Sequence, residues 1–184
     1  FIYTNDIKKA IEDSKIVVLA VSTKFLASVC EEIKPYIKDK HIVIASKGIE
    51  QNTKLFASEI VKNKLKTKKI CTISGPSFAK DMANDELIGL SLATTNNQTK
   101  QIVMSALSNK KLKIRPTKDF VGVELCGTLK NIIAVTAGIL DGIKVSESTK
   151  AMFLTESIND TRKLIKKFKG NEKYNPLDKT VKLT

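Results

Sequence analysis

The chain alternates short continuous apolar runs with segments whose apolar residues recur every three or four positions. Lys15-Ile-Val-Val-Leu-Ala-Val is a β-branched run bounded by polar residues, and His41-Ile-Val-Ile-Ala is a second; both predict fully buried strands. Between them Phe25, Leu26, Val29, Ile33, Tyr36 and Ile37 fall at helical spacing within 24–37. Thr53 is placed to cap a second helix with Phe56, Ile60 and Val61 turned inward. Lys69-Ile-Cys-Thr-Ile-Ser predicts a third strand running into Gly75-Pro76-Ser77, and 87–93 alternates weakly as a fourth. Residues 99–107 are helical, and 112–115 are extended before Pro116. Buried strands alternating with amphipathic helices predict an α/β layer with a largely parallel sheet.

After Asp119 the pattern changes to helices alone. Residues 121–143 are apolar nearly all the way round, the mark of a buried helix, and 149–168 carry Ala151, Leu154, Ile158, Ile165 and Phe168 on one stripe. The boundary predicts a sheet domain over 1–117 and the start of an all-helical domain over 118–184, with weak patterning after Gly170. The longest continuous apolar run, Ile16 to Val21, has six residues, against the ~20 a membrane helix needs, so no span is expected. The polar start lacks the pattern of a secretory signal, and the absence of an initiator Met suggests a chain that begins mid-protein. Cys30, Cys71 and Cys126 are odd in number, far apart and set among apolar residues, which predicts reduced core thiols in a cytoplasmic protein.

Charge changes the picture less than its size suggests. The 32 basic and 19 acidic side chains give +13, but the lysines are dispersed, only two of the basic residues are arginine, and aromatic residues are 5%. A nucleic-acid surface clusters arginine with stacking aromatics, so a solvated lysine-rich surface is the better account. His41 is the lone histidine and leads a strand, which speaks against a histidine triad and against a metal site.

Lys130 is the only charge strictly inside 124–141. An ammonium in such a helix is paired, neutralised or bound to something anionic, and its helical neighbours Cys126, Ile133, Ala134 and Ala137 offer no carboxylate. Snorkelling to the helix edge or pairing with Glu124 or Asp141 are structural alternatives. The functional one is a lysine whose proton affinity is lowered by desolvation, able to act as general base or general acid. Asn131 beside it can hydrogen-bond a substrate or cofactor amide. Two loops follow predicted strands: Ser46-Lys47-Gly48, with a point charge suited to phosphate, and Ser74-Gly75-Pro76-Ser77-Phe78-Ala79, where Pro76 suits a first helical turn and the Ser77 hydroxyl can hold an anion.

Ala45-Ser-Lys-Gly-Ile-Glu50, Ser74-Gly-Pro-Ser-Phe-Ala-Lys80 and Gly122-Val-Glu-Leu-Cys-Gly-Thr-Leu-Lys-Asn-Ile-Ile-Ala134, with Ala137-Gly and Asp141-Gly142, resemble bacterial NAD(P)-dependent glycerol-3-phosphate dehydrogenase in order and spacing. The likeness runs from about Thr4 to Lys163, and Thr149-Lys-Ala-Met-Phe-Leu-Thr adds to it. It implies a Rossmann-like, largely parallel sheet lacking its first strands, followed by part of an all-α C-terminal domain. It makes Lys130 the proton-transferring residue, Lys47 a contact to substrate and to NAD or NADP, Gly75 and Ser77 substrate contacts, and Ala79 a cofactor contact. The implied reaction interconverts dihydroxyacetone phosphate and sn-glycerol 3-phosphate for phospholipid synthesis, in a protein for which a homodimer is one arrangement.

Departures from the family pattern are as informative. The Gly-x-Gly-x-x-Gly turn that cradles the pyrophosphate and the second strand that reads the adenosine ribose are missing, so NAD versus NADP stays open. Val21-Ser22 stands where Val-Pro is usual, and Glu156-Ser157 where Arg-Gly is usual. The downstream phosphate-binding segment is not recognisable, Asp178 being an insecure match. These gaps predict a central piece of the enzyme, weak in cofactor binding by itself. They leave two alternatives: a catalytically inactive remnant that serves binding or oligomerisation, and another hydroxy-acid dehydrogenase of the same fold.

Overall fold

The first two apolar runs become neighbouring parallel strands in the computed structural model, which describes residues 2–170. β1 (Ile16–Leu19) pairs with β2 (His41–Ile44), Ile16 opposite His41, and β2 pairs parallel with β3 (Ile70–Ser74), Ile42 opposite Ile70. β4 (Ile88–Ala93) runs antiparallel to β3, Thr72 opposite Ala93, and β5 (Leu112–Thr117) lies parallel to β4. The order is β1-β2-β3-β4-β5, so the sheet is largely parallel with one reversal. That reversal has a local cause. A parallel crossover needs a dozen or more residues and usually a full helix; between β3 and β4 the chain offers only the five-residue helix α4 (Ala79–Ala83).

Side chains alternate across the strands, so the sheet is packed on both faces. Ile42 and Ile44 meet Leu26 of α2 (Thr23–Ile33) and Val61 of α3 (Ala57–Leu65), while Val43 and Cys71 meet Val103 of α5 (Asn97–Leu107) on the other side. Two long helices follow the sheet: α6 (Phe120–Gly142), capped by Asp119 accepting from the Gly122 N–H at 2.9 Å, and α7 (Glu147–Lys167), capped by Ser146 accepting from the Thr149 N–H at 3.2 Å. They pack as an antiparallel pair, with Leu125 and Cys126 against Ile165. The start of α6 belongs to the sheet's own core, since Phe120 and Val123 join the cluster under β1 and β2.

Several expectations need correction. β1 is an edge strand and not fully buried: Val18 is 52% exposed. Thr53 does not cap α3. Its N–H and hydroxyl both reach the Glu50 carboxylate, at 2.6 and 2.7 Å, and the helix begins at Ala57 with Glu59 accepting from the Phe56 N–H at 2.8 Å. A short helix α1 (Ile7–Ile11) precedes β1, capped by Asp6, where no element was expected. Helix α6 is buried only at its start; from Thr128 onward it is half-buried or exposed. It is also the one described helix long and apolar enough to cross a membrane by length and composition, with mean hydropathy 1.5 over its best window, 28% of that window being buried. No continuous apolar run reaches that length because Glu124, Gly127, Thr128, Lys130 and Asn131 interrupt it without lowering the average enough. The three cysteines are buried and form no disulfide among the described residues, and burial pushes Cys30 up to about 11 and Cys71 up to about 12. Asp178 lies outside the described residues.

Candidate functional site

Because β1, β2 and β3 run parallel, the loops leaving them open at the same edge of the sheet, where ligands bind in open α/β folds. Ser46 fixes the loop after β2: it is buried, and its hydroxyl donates to the Val21 carbonyl at 2.6 Å. Lys47 is thereby turned out to solvent, and Gly48 makes the following bend at φ +107°. After β3, Gly75 passes so near β4 that a Cβ there would meet the Gly89 carbonyl oxygen at 2.4 Å. Pro76 lies in the bend and not in a first helical turn, since α4 starts only at Ala79. The Ser77 hydroxyl folds back to donate to the Gly75 carbonyl at 3.4 Å.

Helix α6 closes the third side. The Lys130 ammonium donates to the Gly75 carbonyl at 3.1 Å and stands 6.0 Å from the centre of the Phe78 ring. Lys130 is half-buried, not sunk in a core, because α6 is leaving the sheet at this point. No carboxylate pairs with it among the described residues. Glu124 is engaged by Ser58, and Asp141 by Lys150 at 2.9 Å, so both sequence-level partners are otherwise occupied. Burial first, then the neighbouring Lys47 ammonium, lower the proton affinity of Lys130 below the ordinary lysine range. Two cations brought together without a carboxylate favour an anionic ligand.

A cleft of about 430 Å³ lies before this lysine. It is lined by Ser74, Gly75 and Phe78 of the loop after β3, by Lys130, Asn131 and Ala137 of α6, and by Leu154 and Ile158 of α7, and most of that lining is apolar. Asn131 is exposed on the cleft, where it was expected inside a buried helix. Lys47 borders an adjoining small gap with Ser46, Thr72, Ser74, Glu124 and Gly127. Ser77 and Ala79 belong to neither lining; Ala79 is exposed as the first residue of α4. Two residues escaped the sequence reading although both stand in the quoted loop. Phe78, 71% exposed, lays a large ring beside the lysine. Ser74, only 8% exposed, has a hydroxyl with no hydrogen-bond partner, an arrangement rare enough to mark a place for a ligand or water.

An open, mostly parallel sheet whose strand-end loops face a cleft, continued into a helical pair, defines a Rossmann-like domain followed by a helical one. Comparison with known proteins narrows this. The family described as NAD-dependent glycerol-3-phosphate dehydrogenase N-terminus matches residues 1–100, and its C-terminal counterpart matches 119–180. The chain is 35% identical over 167 residues to glycerol-3-phosphate dehydrogenase [NAD(P)+] of Clostridium acetobutylicum, covering 90% of this chain and 50% of that protein. It is equally 35% identical over 163 residues to the enzyme of the same name from Wolbachia pipientis wMel, covering 86% and 50%. The crystal structure of glycerol-3-phosphate dehydrogenase from Coxiella burnetii superposes with a TM-score of 0.83 at 28% identity, over 91% of this chain and 52% of that one. The chain therefore belongs to the NAD-dependent glycerol-3-phosphate dehydrogenase family. It spans about half the length of the curated relatives it matches.

Proposed function

We propose that the cleft serves reversible hydride transfer between NAD or NADP and the pair dihydroxyacetone phosphate and sn-glycerol 3-phosphate, with Lys130 exchanging the proton. The observation that carries this reading is Lys130 itself: its affinity for a proton is depressed by burial and by Lys47, it lacks a carboxylate partner among the described residues, and it faces the cleft. As a ketone carbon is reduced, negative charge grows on its oxygen. An ammonium of lowered proton affinity gives up its proton there readily, and the neutral amine takes one back in the reverse direction. Lys47 and Lys130 together suit a phosphorylated triose, Gly75 lines the cleft beside Lys130 with Ser77 two residues on in the same loop, and Asn131 offers an amide to substrate.

The residues present fit the nicotinamide end of such a cofactor. The cleft is roomy and mostly apolar, and the buried, unpartnered Ser74 hydroxyl is part of its lining. Lys47 and Ala79 would hold it from beside the cleft, and the nicotinamide would supply or accept the hydride. No Gly-x-Gly-x-x-Gly turn occurs in the sequence, so these 184 residues by themselves hold the dinucleotide weakly. The same reading takes 1–117 as a dinucleotide-binding domain and 118–184 as the start of a substrate domain, in a cytoplasmic protein, the last supported by three buried cysteines that form no disulfide among the described residues.

The test is NADH oxidation by dihydroxyacetone phosphate in the natural protein and in Lys130→Met. The variant should lose turnover by about 10²–10⁴-fold, as removal of a general acid does, while NADH fluorescence titration stays unchanged. Turnover that survives the substitution would overturn the assignment. A natural protein that binds NADH yet reduces nothing would favour the inactive alternative.

A further inference from the structure

The seam between β3 and α6 is built as a set of rungs, each about one helical turn further along α6. The Thr72 hydroxyl donates to the Glu124 carboxylate at 3.5 Å. Two residues on, the Ser74 hydroxyl sits where a Cβ on Gly127 would be, 2.5 Å away. One residue further, the Gly75 carbonyl accepts from Lys130. Residues 124, 127 and 130 share one face of the helix, so a rotation or slide of α6 moves all three together. The middle rung is contact without a hydrogen bond, and the last is a single long-armed side chain. Only the first is a clamp: Glu124, 7% exposed, accepts from the Ser58 N–H at 2.8 Å and from the Ser58 hydroxyl at 2.6 Å, both at the start of α3.

We propose that Glu124 is a positioning residue for Lys130: by locking α6 to the first turn of α3 it sets the helix register that delivers the lysine to the Gly75 carbonyl and the cleft. This rests on Lys130 as the proton-transferring group. Glu124 is not needed elsewhere as an ion-pair partner, since Lys62 and Glu59 of α3 act on it only at a distance and with opposite signs. Burial pushes its carboxyl up to about 7, so the clamp works through hydrogen bonds in either protonation state and not through a fixed charge.

The experiment reads the Lys130 ammonium directly, without substrate, by side-chain NMR titration of lysine-labelled protein, with its signal assigned by loss in Lys130→Met. Glu124→Ala should release α6, let Lys130 move into water away from Lys47, and raise its proton affinity about tenfold, one pH unit. Glu124→Gln keeps an acceptor for Ser58 and should restore the natural midpoint. Should Glu124→Ala not fold, Ser58→Ala, which removes one of the two bonds, should shift the midpoint in the same direction by less. A lowered midpoint in both Glu124 variants would mean that charge and not register is at work, and an unmoved midpoint with a lowered melting temperature would mean a purely structural role; either overturns the proposal. The outcome is independent of turnover. If Lys130→Met leaves turnover intact the functional reading falls while the rungs stand, and if the midpoint stays put the converse holds.

Discussion

The two ends of α6 are close in composition and opposite in surroundings. From Phe120 to Gly127 all residues except Val121 are buried, whereas Ile132, Val135 and Ile139 are 60%, 65% and 58% exposed. Geometry accounts for the change. A helix rises 1.5 Å per residue, so eight residues cover about 12 Å, close to the span of a five-residue strand such as β3. Beyond that the sheet has ended and only α7 supports the helix. An all-round apolar sequence specifies that the segment is helical; which part is buried depends on how far its support extends. Lys130 stands at the step between the two regimes, where a side chain can be partly desolvated and still reach a ligand. The buried end matches its one charge with the Ser58 clamp, and the exposed end carries Asp141 in a surface pair with Lys150.

The contrast is sharpest at Glu124. Its carboxyl stands near 7 in the folded chain against an ordinary value of 4.5, with desolvation outweighing the two Ser58 hydrogen bonds. A folded-state value above the unfolded one means that the native state binds the extra proton. The contribution is therefore whole below 4.5 and is lost as pH rises through about 7. The full swing is on the order of 3 kcal/mol. Urea denaturation of the natural chain and of Glu124→Gln between pH 4 and 8 should show the stability difference drifting by that amount against the natural chain, other titrating groups cancelling within the pair. A difference that stays flat would mean that the buried end of α6 is wetter than its packing indicates.

Gly127→Ala probes the same end by volume. Its Cβ would lie 2.5 Å from Ser74 Oγ and 3.4 Å from Ser74 Cβ, so the buried hydroxyl must turn aside or β3 and α6 must move apart. Helix propensity favours alanine by about 1 kcal/mol, but overpacking costs about 1–3 kcal/mol, so the net should be a modest loss of stability. The denaturation midpoint reads the loss. Ser74→Gly in the same chain should restore it, because that removes the atoms the new methyl meets.

Much of this arrangement was legible in the sequence. The strands at 16–19 and 41–44 follow from β-branched runs, the switch to helices after Asp119 from a change of period, and Lys47, Gly75 and Lys130 from their places beside those elements. What was not legible depends on distance in space. Alternation along 87–93 cannot say which way the strand runs, and β4 proved antiparallel because α4 is too short for a crossover. Thr53 has the chemistry of a cap, but Glu50 three residues earlier competes for it and wins with two bonds under 3 Å. Periodicity alone puts Lys130 in a deep core, because it carries no information on where a sheet ends. Ser74 read as the last strand residue; only the near approach of Gly127 shows that its hydroxyl is held without a partner.

The smallest effect tests the exposed end. Gly138 lies in the same helix as Gly127, eleven residues on, and nothing comes within 4 Å of a Cβ built on it. With no neighbour to displace, Gly138→Ala leaves only the backbone term. Alanine restricts the unfolded chain and favours the helix, so the substitution should stabilise by about 0.5–1 kcal/mol. The midpoint of urea denaturation should rise slightly, and amide exchange should slow across 132–142. Opposite signs from two Gly-to-Ala changes in one helix would establish that α6 is packed at one end and open at the other. If Gly138→Ala destabilises instead, something in solution covers the stripe of Ile132, Val135 and Ile139, and the open end of α6 is then a packed one as well.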